Sequence, residues 1–422
     1  MQSPSESVDV CVVGGGPSGL LVAHLLAAKG IPSLVLEKKT FPSAKACGDN
    51  LSGAALKLVS KLFPDFKTEL EGRISPVLGV VAYAPNLRRF ELDYRPFAES
   101  GEPSCYSITR QNLDAYLYEK ARSNPLIRLK ENSGVLEAQS QSGRMRLRLQ
   151  NKSIVDAKLV IFCTGSNSSL GRDMVEVSFK SQEHGLGLRA YFTGVEQREP
   201  QGFSSLFLTE RLFPGGLYVS YLPQGLTNVN LVVRSDYVKR KKINLQQEMN
   251  RLLAEHPLLS ECFAKAEPTG KPLLSSLSLS SRPKQLSGDN FLLVGDAAGL
   301  IDFMSANGLP QAAMSAEIAA ETAQLALQSE RFDAQFLQAY TFKVHQRTKN
   351  YLKTSRFFAP FLNYPIVSRL CLLYLNLLCR LLPQKSQRVI KDLIYDPNLH
   401  KTFFKPSFYF ALFFGLKNRE SL

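Results

Sequence analysis

The sequence predicts an α/β fold with an α+β insert. A parallel-sheet domain is interrupted along the chain by an antiparallel-sheet domain, and a helical segment closes the C-terminus. Three observations carry this. An apolar strand, a glycine turn and an Ala/Leu-rich helix open the chain, ending near Gly30. A second apolar strand, Asn290 to Val294, runs into another glycine turn, Gly295-Asp-Ala-Ala-Gly299. Between them, residues 187–234 alternate apolar and polar side chains and are broken by Gly and Pro, the signature of antiparallel strands. One domain split by an insert explains the wide separation of the two glycine turns better than tandem domains do. The expected boundaries are 1–70, completed by 105–175 and 286–335, for the first domain. The insert takes 71–104 and 176–285, and the C-terminal segment takes 336–422.

The elements follow in chain order. Val8-Asp-Val-Cys-Val-Val13 is a short, mostly apolar run suited to a buried parallel strand. Leu20 to Lys29 reads as a helix, and Ser33-Leu-Val-Leu-Glu37 as the strand after it, which makes one βαβ start. Arg110 to Ser123 has helical spacing, with Leu113, Leu117 and Ala121 on one face. Residues from about 126 to 163 read as short strands ending in Leu159-Val-Ile-Phe-Cys163, and Leu309 to Ser329 reads as a long Ala-rich helix.

Composition bounds the rest. With 44% hydrophobic and 21% charged residues, the 422-residue chain is an ordinary globular protein of two to three domains. Its seven cysteines form no C-x-x-C pair, so neither a zinc site nor a disulfide framework is expected, and a reducing, cytoplasmic compartment fits. The N-terminus lacks the basic and apolar regions of a signal peptide. Net charge is +14 and unevenly placed: from Tyr340 onward lie 14 of the 51 Lys and Arg but only three of the 37 Asp and Glu. The same stretch is rich in Phe, Leu and Tyr and has no zinc-finger spacing or RNP motif, so an anionic membrane surface is the expected partner and nucleic acid is not.

The glycine turn Gly14-Gly-Gly-Pro-Ser-Gly19 sits between a strand and a helix, with Glu37 closing the next strand. In that context each residue has a physical task. Gly14 allows the tight turn, Gly16 lets the backbone approach a pyrophosphate, and Gly19 permits close helix packing. The helix N-terminus presents unpaired N–H groups to phosphate. Glu37 would accept hydrogen bonds from a ribose 2′-OH and disfavours a 2′-phosphate, which leaves FAD or NAD.

Further motifs carry a resemblance. Phe291-Leu-Leu-Val-Gly-Asp-Ala-Ala-Gly299 resembles the second FAD fingerprint of the p-hydroxybenzoate-hydroxylase-like flavoproteins. That resemblance implies FAD, with Asp296 on the ribityl chain and Gly295 and Gly299 shaping the turn. Arg110 in Ser107-Ile-Thr-Arg-Gln-Asn-Leu-Asp114 matches that superfamily's Arg-x-x-Leu-Asp element, which touches the cofactor. Where many hydroxylases carry Ala-Asp-Gly-x-x-Ser, this chain has Cys163-Thr-Gly-Ser-Asn-Ser168. Thr164 thus replaces an acid tied to pyridine-nucleotide handling, and a protein electron donor is expected instead.

Two segments resemble the geranylgeranyl reductases within that superfamily. Lys45-Ala-Cys47-Gly48 matches their Lys-x-Cys-Gly loop. Pro214-Gly-Gly-Leu-Tyr-Val-Ser-Tyr-Leu-Pro223 partly matches their Pro-x-x-Tyr-x-Trp-x-Phe-Pro segment, and Asn228 opens the strand that follows. Ser220 stands where the family has Trp, and Phe303 and Ala306 replace Pro and Gly after the second fingerprint. The resemblance implies an FAD-dependent oxidoreductase that reduces carbon–carbon double bonds of a prenyl or lipid-like, apolar substrate, with Cys47 and Tyr218 as catalytic candidates. His24, His184 and the run Lys239–Lys242 are expected to be structural, the last as a solvated loop. Flavin halogenases share the fold but rely on a Trp-x-Trp segment, and this chain has no Trp. The alternatives are a flavin monooxygenase acting on an aromatic or polyketide product, and a non-catalytic, membrane-attached electron carrier.

In the tail, Ile366 to Leu382 is apolar but interrupted by Arg369 and Arg380, and Phe403 to Leu416 is too short to span a bilayer. Both suit helices lying in a membrane interface with basic residues toward lipid headgroups.

Overall fold

The computed structural model describes residues 5–41, 45–95, 101–166, 168, 170–171, 173–175, 184–213, 215–279, 285–302 and 306–363, together with Leu370 and Leu373. It divides into two compact units. The first takes 1–74, 108–186 and 274–347; the second takes 75–107, 187–273 and the chain from Thr348.

The first unit is built on a parallel sheet. Strand β1 (Ser5–Val13) lies at its centre, leads through a turn into helix α1 (Pro17–Ala27), and returns as β2 (Ser33–Leu36), with Cys11 opposite Leu34. On the other side of β1 lies Ile154–Phe162, also parallel, with Val10 opposite Leu159. Phe291–Leu293 continues the parallel set beyond Ile154–Phe162, and Ile127–Lys130 continues it beyond β2. A hairpin, Val135–Gln141 and Arg144–Leu149, attaches antiparallel to Ile154–Phe162. The apolar runs explain the layering: Val10 to Val13, Leu34 to Leu36, Leu159 to Phe162 and Leu292 to Val294 are all buried, as strands covered on both faces must be. Helix α1 packs against the helix Leu309–Gln328, whose buried face is mostly alanine (Ala312, Ala313, Ala316, Ala319, Ala320, Ala323), so the two backbones can approach closely.

The helix Ala334–Asn363 begins in this unit and buries Leu337, Tyr340 and Val344. The Tyr340 hydroxyl donates to the Leu293 carbonyl at 2.6 Å, and Thr341 Oγ1 accepts the Leu286 N–H at 3.0 Å. The start of the basic C-terminal region is therefore part of the first unit's core, through Arg347.

The second unit holds most of a seven-stranded sheet in the order Glu267–Ser278, His184–Thr193, Thr227–Arg234, Gly216–Tyr221, Phe203–Phe207, Gly79–Tyr83, Arg89–Asp93. The neighbours Thr227–Arg234 and Gly216–Tyr221, Gly216–Tyr221 and Phe203–Phe207, and Gly79–Tyr83 and Arg89–Asp93 are antiparallel. Phe203–Phe207 and Gly79–Tyr83 are parallel, a departure from a purely antiparallel insert. These two strands are far apart in the chain, so no hairpin fixes their relative direction. His184 opens the strand His184–Thr193. The basic run Lys239–Lys242 is no loop: it ends the helix Ser235–Lys241, with Lys242 in the left-handed conformation (φ 50°) and the Arg240 and Lys241 cations over the Tyr237 ring.

Candidate active site

The two glycine turns meet at the C-terminal ends of the first unit's parallel strands. Gly14 has φ 106°, and a Cβ there would lie 2.5 Å from the Cys163 carbonyl oxygen. At Gly19 a Cβ would lie 1.9 Å from the Gly14 carbonyl oxygen, so the helix reaches the turn only without a side chain. Gly16 is different. It takes the ordinary φ of −71° as N-cap of α1, and a Cβ there would meet nothing within 4 Å. Nothing in the protein requires glycine at 16; the open space before it fits a bound group that approaches the backbone. A side chain would fill that cradle. Glu37 is held beside it, accepting the Gly15 N–H at 2.8 Å and the Lys39 N–H at 2.9 Å.

The second turn joins the first directly. A Cβ on Gly295 would lie 2.4 Å from Ser18 Oγ on α1, and the Gly295 N–H donates to Ser315 Oγ at 3.1 Å. Gly299 closes the turn with φ 65°. Asp296 projects from it, and Gly308 leaves room for the carboxylate, since a Cβ there would stand 2.8 Å from Oδ1. Asp296 Oδ2 faces Lys45 Nζ at 3.3 Å and Ser166 Oγ at 3.5 Å. Beside them Thr164 Oγ1 is buried and makes no hydrogen bond among the described residues.

Arg110 begins the helix Arg110–Arg122, whose N-cap Thr109 accepts the Asn112 N–H. Its buried guanidinium grips Asp114 through two bonds, Nε to Oδ1 at 3.0 Å and Nη2 to Oδ2 at 2.8 Å. It also hydrogen-bonds Cys47. Burial pushes the Cys47 thiol above its ordinary range, with the Arg110 cation opposing and the Asp49 carboxylate reinforcing that shift. Cys47 is therefore a protonated thiol at neutral pH. Lys45, Cys47, Arg110 and Asp296, drawn from three distant stretches of sequence, form one cluster. Asp49 and Asp114, which bond Arg110 through its N–H and its guanidinium, closed the matched segments Phe41–Asp49 and Ser107–Asp114, but their sequence context assigned neither a role of its own.

Tyr218 stands in the second unit, half-buried between Leu206 and Asn230 of the neighbouring strands. Ser220 is fully buried and lies opposite Asn228. His24 is structural: Nε2 pairs with the Leu117 carbonyl at 3.0 Å, its ring meets Phe63 edge-on, and burial lowers its pKa. Ala306 takes φ 53°, the conformation a glycine would adopt there without strain. Pro214, Phe303, residues 403–416 and all of 366–382 except Leu370 and Leu373 lie outside the described residues, so the expected interfacial helices fall there.

The geometry fits a dinucleotide-binding site, and comparison with known proteins gives the family. Residues 7–355 match the family model described as FAD binding domain, and the chain belongs to that family. It is an FAD-dependent oxidoreductase, similar to proteins named as reductases of geranylgeranyl lipids. The digeranylgeranylglycerophospholipid reductase of Thermoplasma acidophilum is 25% identical over 81% of this chain and 84% of its own length. The menaquinone reductase of Mycobacterium tuberculosis is 26% identical over 76% of this chain and 77% of its own. A solved structure from Thermoplasma acidophilum, described as geranylgeranyl bacteriochlorophyll reductase-like, shares the fold with a TM-score of 0.79 at 22% identity, covering 95% of this chain and 99% of that one.

Proposed function

We propose that the protein reduces carbon–carbon double bonds of a prenyl or other lipid-like substrate, working at an anionic membrane surface. The observation that carries this reading is the packing of the Lys45–Gly48 loop against both Asp296 and Arg110, which joins the reductase-type loop to two FAD elements in one cluster. Relatives named as lipid reductases support it.

Gly14, Gly16 and Gly19 with the N-terminus of α1 would hold the FAD pyrophosphate, and Glu37 the adenosine ribose. Asp296, Gly295 and Gly299 would hold the ribityl side, with Arg110 bracing the loop near the flavin. When bound and reduced, FAD supplies the hydride. The chain's own residues supply the rest of the reaction. Saturating an alkene needs a proton on the second carbon. The Cys47 thiol, kept protonated by burial, can give one from Sγ, and the Tyr218 hydroxyl is the second candidate donor by its chemistry. Thr164, which lacks the acid of hydroxylases, fits a protein electron donor rather than a tight NADPH site. The basic tail would hold the enzyme on anionic lipid; the described tail residues Leu370 and Leu373 are exposed apolar side chains, as interfacial contact requires.

The test is product analysis with a geranylgeranyl lipid and a chemical reductant. Two added hydrogens per bond are expected. An added oxygen would identify a monooxygenase, and flavin oxidation with no altered lipid would identify an electron carrier; either overturns the proposal.

A further inference from the structure

The Lys45–Gly48 loop has no regular secondary structure of its own, so something must fix Cys47 in place. Asp49 is the residue that ties it down. It is buried, 1% exposed, and is a non-glycine residue with φ 58°, a conformation that persists only where surrounding contacts hold it. Three of its groups are engaged at once. Its N–H donates to Cys47 Sγ at 3.4 Å. Its carbonyl oxygen accepts the Ile108 N–H at 2.8 Å. Its carboxylate Oδ1 accepts the Arg110 N–H at 3.0 Å, at the first turn of the helix whose guanidinium also bonds Cys47. Asp49 thus grips the backbone on both sides of the helix cap Thr109 while holding the sulfur from the other direction.

We infer that Asp49 is a positioning residue that clamps the Cys47 loop onto the start of the Arg110 helix and fixes the thiol against the guanidinium. This rests on the proposal that Cys47 is an active-site group. The clamp also sets the electrostatics of the thiol. Arg110 from the helix and Asp49 from the loop are the charged groups acting on Cys47 among the described residues, and they oppose one another. Removing the Asp49 charge while keeping its acceptor leaves Arg110 unopposed, which favours the thiolate.

The experiment is pH-dependent alkylation of the full-length FAD-bound protein by iodoacetamide, followed peptide by peptide by mass spectrometry. Cys262, on the second unit's helix Pro257–Cys262, serves as internal reference. Asp49→Asn keeps the oxygen that accepts the Arg110 N–H and tolerates the left-handed backbone. It is expected to lower the pH midpoint of Cys47 alkylation by about half a unit or more with FAD content unchanged. Asp49→Gly removes the carboxylate without backbone strain. It is expected to raise the Cys47 rate at neutral pH about tenfold or more, with Cys262 unaffected. A Cys47 rate in FAD-loaded Asp49→Gly no faster than in the parent protein overturns the clamp, with Asp49→Ala as the second carboxylate-free variant if Asp49→Gly does not fold. An unchanged midpoint in Asp49→Asn, which keeps the bond to the Arg110 N–H, overturns the claim that Asp49 sets the thiol's electrostatics. Full turnover by Cys47→Ser would instead sink the catalytic reading of Cys47 while leaving the alkylation midpoints as an independent test.

Discussion

Single residues in the site separate ligand demands from folding demands. Gly16 and Gly19 belong to one motif, yet only Gly19 is required by the protein's own backbone. Gly16→Val should therefore give a folded but colourless protein, with native circular dichroism and little bound flavin absorbance. Gly19→Ala should lower stability by about 1–3 kcal/mol as the helix is forced off the turn, which a denaturant titration would read. Ala306 gives the opposite case. Its φ of 53° strains an L-residue, and Ala306→Gly should stabilise the fold by about 0.5–1 kcal/mol after the entropic cost of glycine. At Cys47 the pH dependence follows from burial. A thiol whose pKa is raised keeps its proton above the ordinary thiol range, so proton donation persists there and is lost only as pH climbs through the raised value. The alkaline limb of the turnover profile should thus lie above the ordinary thiol range, and a limb near neutrality would count against Cys47 as the donor.

At the scale of elements, legibility followed the physics of burial. Strands covered on both faces announce themselves as apolar runs, so β1, β2, Ile154–Phe162 and Phe291–Leu293 were readable within a few residues, as was the Ala-rich helix Leu309–Gln328. The strand Glu267–Ser278 was not. It carries Pro268, Gly270 and Pro272 and is mostly exposed, and such residues read as a loop; they are tolerated because this strand lies at the sheet edge. The helix Gly53–Leu62 opens on a glycine in the left-handed conformation (φ 55°), a weak signal for a helix start, and its N-cap Ser52 makes no capping bond but accepts from Asn307 Nδ2 at 3.3 Å. In the site, the cofactor motifs were legible because Gly14 and Gly19 answer local steric needs while Gly16 leaves open space for a ligand. The Asp49–Arg110 bond spans 61 positions and has no local signature. The Tyr340–Leu293 bond was hidden in the same way, inside a stretch that composition assigned to the tail. Tyr340→Phe should cost about 1–2 kcal/mol by leaving a buried carbonyl short of a partner, seen as a lowered denaturation midpoint.

For the whole molecule, charge is the dominant asymmetry. Among the described residues no helix is long and apolar enough to cross a membrane, and the proposed membrane contact rests on charge and shallow apolar insertion. Basic residues near an anionic surface contribute on the order of 1 kcal/mol each, and those contributions fade within a Debye length. Truncation after Asn363 leaves the helix Ala334–Asn363 whole and removes Arg369, Arg380 and the basic residues beyond. The full chain should sediment with anionic vesicles, partly resisting high salt through its Phe and Leu side chains, and the truncated chain should stay in the supernatant with FAD bound. Equal behaviour of the two forms would remove the tail from the membrane contact.

The central sheet of the first unit also sets a schedule for making the protein. Strand β1 is paired by β2 soon after it emerges, but its other edge waits for Ile154–Phe162, and that strand waits in turn for Phe291–Leu293. At ribosomal rates of roughly 5–20 residues per second, roughly 15–60 s pass between Val13 and Leu293. Throughout that interval the nascent chain carries an open, apolar strand edge, the kind of surface that pairs with neighbours when it is not covered. Synthesis of this protein should therefore depend on chaperones that hold incomplete chains, and slowing translation should lower its soluble yield more than that of proteins whose sheets close early.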